Sequence, residues 1–176
     1  MACFSPDPLL LQRKRILERA VVLSERIVIM NQGGNFMELK DYGANPLVIN
    51  IEDATKDNKN YRTALWTGKN LQVTLMSIEV GEDIGLEVHH DIDQFLRIEE
   101  GKGLVQMGDS EDNLDFEKHA EDDDAIMVPA GKWHNLTNEG DKPLKVYSIY
   151  APAEHPHGTV HKTRAEGMAA EEEHDH

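Results

Sequence analysis

A single cysteine, Cys3, in 176 residues leaves no intramolecular disulfide to staple the fold. Stability must come from a buried core, and the expected compartment is a reducing cytoplasm. Basic residues are scarce: 18 Lys and Arg face 33 Asp and Glu, a net charge of −15. That surplus argues against nucleic acid and anionic membrane surfaces as partners, and describes a well-hydrated exterior. No apolar run approaches the roughly 20 residues a membrane span needs. Leu9-Leu10-Leu11 leads straight into Gln12-Arg13-Lys14-Arg15, so no secretory core follows a basic start. No repeat is evident, and the length suits one domain with a sizeable core.

Composition shifts near residue 37. Residues 1–36 carry five Lys/Arg against three acidic residues, +2, so the remaining 140 carry −17. Residues 16–29 could form a short helix, although several of their apolar residues are β-branched. Two readings of residues 1–36 stand side by side. One is an N-terminal arm packed on the domain or on a partner subunit. The other is a start-site artefact, since Gln32-Gly33-Gly34 can be a translated purine-rich ribosome-binding site ahead of Met37.

Beyond Met37 strand signals dominate and no amphipathic helix stands out. Residues 46–51 and 61–66 are short, apolar and β-branched or aromatic, and residues 71–80 alternate with period two. Residues 94–99, 104–107, 125–128 and 144–150 continue the series. Turn-formers separate them, as in Gly81-Glu82-Asp83 and Glu100-Gly101-Lys102-Gly103. Short strands joined by short turns predict an all-β sandwich or barrel over residues 37–165. Residues 166–176 read as an acidic, frayed tail.

Two donor-rich segments carry the chemistry. Pro129, Gly131, His134 and Asn138 form one, within residues 123–138. The other runs from Gly81 through Glu87, His89 and Gln94 to Gly101. Together they resemble the two motifs of the cupin superfamily, single-barrel branch. The second motif agrees at each diagnostic position, and in cupins its histidine, here His134, binds metal.

The first cupin motif runs glycine, five residues, His-x-His, three or four residues, glutamate, six residues, glycine. Counted from Gly81, the two histidine positions fall on Glu87 and His89, and the glutamate position on Gln94. Glu87 and His89, two apart on a strand, share a face. The competing register sets Val88 and His90 inward; valine cannot bind metal, which favours the first. The usual three histidines and one glutamate become Glu87, His89, Gln94 and His134, with one carboxylate and four donors retained. The resemblance therefore implies a double-stranded β-helix barrel with one divalent transition metal: Mn, Fe, Ni, Zn or Co. A barrel that has lost its metal is the competing reading, helped by Gln94, whose neutral amide oxygen is a weak ligand.

Asp93 and Arg97 fall off the inner face. Trp133 points away from His134, toward core or dimer packing. Tyr147 and Tyr150 lie on opposite faces, so at most one reaches the cavity. His155, His157 and His161 could cap the barrel mouth, bind a second metal, or belong to a surface loop.

The resemblance implies a small-molecule substrate and a homodimer. It leaves three activities open. One is a metal-dependent, isomerase-like enzyme on a small sugar or sugar acid, with Glu87 or His90 moving a proton. A second is an Fe(II) dioxygenase built on His89, His134 and Glu87. The third is a non-catalytic binding module.

Overall fold

A computed structural model describes Val28–Met30 and residues 36–174. The helix expected over 16–29 lies outside the described residues, except that its last two positions fall in strand β1 (Val28–Met30), which pairs with β2 (Phe36–Glu38).

Two antiparallel sheets build the barrel. One has six strands in the order β12 (Val160–His161), β3 (Arg62–Thr67), β4 (Gln72–Ile78), β11 (Leu144–Ala151), β6 (Asp93–Glu100) and β9 (Ala125–Val128). The other has four, β5 (Glu87–Val88), β10 (Trp133–Asn138), β7 (Lys102–Gly108) and β8 (Phe116–Glu121). The chain has the all-β double-stranded β-helix fold that its sequence implied.

Register fixes which side chains face inward. Thr74, Ser148 and Leu96 lie across from one another, as do Gln72, Tyr150 and Gln94. Alternation puts Arg62, Met76, Val146 and Ile98 on the same face. Met76, Leu96, Ile98 and Val146 meet Val105, Met107 and Leu136 of the facing sheet to close the core. Burying such side chains stabilises by about 1.5–3 kcal/mol each.

Residues 46–51, expected as a strand, instead lead into helix α1 (Ile51–Asp57). Asn50 caps it, its side chain accepting from the Asp53 amide at 3.3 Å, and Glu52 and Asp53 suit the dipole's positive end. Ile49 and Ile51 spend their apolar surface on Leu65 and Leu75, on the outer face of the larger sheet. Residues 164–174 form helix α2, packed on the barrel through Met168 rather than frayed. Thr163 accepts from the Glu166 amide at 3.3 Å while Glu166 accepts from the Lys162 amide at 2.6 Å, a variant of the reciprocal N-terminal cap.

Candidate metal centre

The turn between β9 and β10 brings the two motifs together. Gly131 takes φ +80, a left-handed conformation that glycine adopts without Cβ strain. Its amide then donates to the His89 carbonyl at 2.7 Å. In the β5–β10 ladder Glu87 lies opposite His134, and Val88 opposite Trp133. Cross-strand partners share a face, so Glu87 and His134 meet.

Glu87 Oε1 is 3.2 Å from His134 Nε2 and 3.3 Å from His89 Nε2. One ligand-type atom from each of the three lies within 4.8 Å of the others. His90 takes no part in this group; it is exposed on the rim of the cleft above.

His134 is 2% exposed, and its Nδ1 sits 3.0 Å from the Lys132 carbonyl. A carbonyl can only accept, so Nδ1 carries a proton and Nε2 is the ring nitrogen that faces Glu87. Burial would raise the Glu87 carboxyl, but the His134 and His89 rings beside it outweigh that and hold it far below the usual carboxylate range. Burial likewise opposes charge on His89. Glu154, whose carboxylate is 3.5 Å from Nδ1, and Glu87 together overcome it and push His89 up to about 10.

Gln94 lies on β6, 3% exposed, opposite Tyr150. It projects on the face where Tyr150 meets the His89 ring edge-on, centroids 5.7 Å apart. Gln94 Oε1 has no protein hydrogen-bond partner, and neither do Glu87 Oε1, His89 Nε2 or His134 Nε2. Each buried polar atom left so costs about 1–3 kcal/mol. Two imidazole nitrogens, a carboxylate and an amide oxygen are donors a divalent transition ion accepts. The residues present fit such an ion.

Of the remaining candidates, Tyr150 is buried on the inner face, while Tyr147 packs outside with the α1 cluster. Arg97 pairs with Glu99 and Asp123 away from the site. Trp133 is half-buried on the wall of the cleft, not packed in the core. The three late histidines part company. His155 stacks edge-on against Tyr150 at 5.1 Å, His157 contacts the Gly43 carbonyl at 3.1 Å, and His161 pairs with Arg62 across β12–β3. They form no second metal-type cluster among the described residues.

The site opens into a cleft of about 700 Å³ bordered by Glu87, His89, Glu154, His155, Met168 and Glu171. Glu154, Glu171 and the interior Arg62 escaped the sequence reading, because none lies within either motif. Among the described residues no helix is long and apolar enough to cross a membrane.

The profile of the cupin domain matches residues 74–150. YrkC of Bacillus subtilis (strain 168) is 63% identical over 134 residues, 76% of this chain and 72% of that protein. The chain belongs to the cupin superfamily. This cupin is also similar to a protein of Acanthamoeba polyphaga mimivirus, 38% identical over 115 residues, 64% of this chain and 69% of that one. The crystal structure of BH2720 from Bacillus halodurans, at 65% identity, superposes with a TM-score of 0.73 over 74% of this cupin and 98% of that chain.

Proposed function

We propose that this cupin is a metal-dependent enzyme acting on a small sugar or sugar acid by isomerase-like chemistry. Glu87, His89 and His134 hold one divalent transition ion (Mn, Fe, Ni, Zn or Co), with Gln94 as the fourth donor. The observation that carries this reading is the cluster of ligand-type atoms from Glu87, His89 and His134 within 4.8 Å of one another, with the buried Gln94 Oε1 left without a protein partner on an inner-face strand.

Such an ion supplies Lewis-acid polarisation of a carbonyl or hydroxyl oxygen. The chain's own residues do the rest. The Lys132 carbonyl fixes the His134 tautomer. Glu154 orients His89 from its far side. His90, exposed at the rim, is free to move a proton, whereas Glu87 engaged as a ligand is a poor base. Elemental analysis of the wild type beside His134→Ala and Glu87→Ala tests the site. One equivalent of metal lost in both variants is the expected result; metal retained in Glu87→Ala overturns the ligand set.

A second reading rests on the same trio. Two histidines and one carboxylate can hold Fe(II) with positions left open, as dioxygenases require. Turnover of a sugar without oxygen excludes it; strict oxygen dependence favours it over the isomerase. A non-catalytic binding module is favoured only if the purified, folded protein retains no metal. A homodimer belongs to the same proposal, supported by the open edge of β9 and by Met127, 64% exposed on it; light scattering measures it.

A further inference from the structure

Arg62 is a charged side chain on an inward-facing row of the larger sheet, beside Met76. Its side chain is 1% exposed, and a buried guanidinium normally uses all its N–H groups. Among the described residues only Nη1 has a hydrogen-bond acceptor, Glu171 Oε1 at 2.6 Å, while Nε and Nη2 have none and the guanidinium lies over the Tyr61 ring, 5.6 Å from its centroid. The group faces the same interior as the metal centre. Glu171 borders the cleft with Glu87 and His89, and Tyr150 links His89 to His155 through ring contacts of 5.7 and 5.1 Å. Two further ring nitrogens here, His155 Nε2 and His161 Nδ1, also lack partners.

Glu171 does not belong to the barrel. It arrives on α2, whose attachment is local: Arg164 reaches Asp83 Oδ1 through Nε at 2.9 Å and Nη2 at 2.5 Å, and Met168 lies against Gly85. A residue on this surface helix thus lays a carboxylate on a buried guanidinium that has more donors than Glu171 can use. A planar guanidinium matches a carboxylate bidentately, which one oxygen of Glu171 does not satisfy.

We propose that Arg62 is the anchor for a substrate carboxylate, and that Glu171 occupies it as an internal stand-in until the substrate displaces it. The substrate class narrows to small acids carrying a hydroxyl or carbonyl oxygen. Their carboxylate is held by Arg62 and the second oxygen is directed toward Glu87, His89 and His134. This rests on the proposed enzyme reading for the second contact only. The swap keeps the charge at Arg62 unchanged, because one carboxylate leaves as another enters. That is how an acidic cleft, with Glu87, Glu154 and Glu171 on its border, can accept an anion.

The test is calorimetric titration of the zinc-loaded full chain with acetate, glycolate, pyruvate and D-glucuronate, with D-glucose as the neutral control. At least one carboxylate is expected to bind where glucose does not. Its affinity should rise several-fold in Glu171→Ala, which removes the stand-in, and fall at least tenfold in Arg62→Gln with zinc content unchanged. Arg62→Lys should recover only part, since it keeps charge without the fork. If Arg62→Gln fails to fold, Glu171→Ala decides alone. No carboxylate binding in Glu171→Ala, or equal binding in Arg62→Gln, overturns the assignment. Loss of the metal reading shows itself separately, as wild-type protein that takes up no zinc.

Discussion

The Gly131 amide donates to the His89 carbonyl across 2.7 Å, tying the turn of one motif to a candidate ligand of the other. The bond depends on φ +80 at Gly131, where an added Cβ meets no neighbouring atom within 4 Å. Gly131→Ala therefore costs backbone strain rather than a clash, about 1 kcal/mol. Urea unfolding should show that loss, and metal titration should show weaker binding as His89 drifts from Glu87 and His134. Unchanged metal affinity would mean that the Gly131 turn does not hold His89 in place.

Metal should stabilise the fold by mass action. A ligand that binds only the native state at a hundredfold excess over its Kd adds about 2.7 kcal/mol. Zinc added to the metal-free protein should raise the midpoint of thermal unfolding in the wild type, and EDTA should reverse it. His134→Ala should abolish the response. A shift that survives in His134→Ala would place the ion elsewhere.

Much of the barrel was legible because its strands pair short alternating runs with glycine-bearing turns, as residues 71–80 do. The failures have physical causes. Residues 46–51 carry the β-branched composition of a strand, yet Asn50 caps a helix there and Ile49 and Ile51 find burial outside the barrel. Strand β8 is nearly all exposed, so no alternation marks it. Helix α2 did carry a signal, Thr163 followed three residues later by Glu166, which the acidic composition of the tail masked. At the site, the resemblance to the two motifs brought out Glu87, His89 and His134, and strand alternation added only that Glu87 and His89 share a face. Arg62 on β3, Glu154 in the loop after β11 and Glu171 on α2 lie far apart in the chain, and only pairing and packing bring them in.

Helix α2 seats a glycine against an aromatic ring, and that contact can be tested by sign. An added Cβ at Gly167 would lie 2.5 Å from Tyr61 Cε1. The ring cannot yield easily, because Tyr61 Oη donates to the Ile84 carbonyl at 2.8 Å and lies 3.1 Å from that of Asp83. Alanine is otherwise the better helix residue by about 1 kcal/mol. Gly167→Ala should nevertheless destabilise and loosen α2, seen as faster amide exchange across residues 164–174. A more stable, equally protected variant would show that the helix does not rest on Tyr61.

His155 makes stability depend on pH in the acid range. Burial, with Arg62 nearby, depresses its pKa from 6.5 to about 3. The unfolded chain therefore binds a proton between pH 6.5 and about 3 that the native chain refuses, so stability falls as pH drops through that window. The contribution is fully present above 6.5 and gone near 3. His155→Phe keeps the edge-on contact with Tyr150 but removes the titrating ring. The loss of thermal midpoint between pH 7 and pH 4 should be smaller in His155→Phe than in the wild type. Parallel pH profiles for the two proteins would show that other groups, chiefly carboxylates, carry the whole acid dependence.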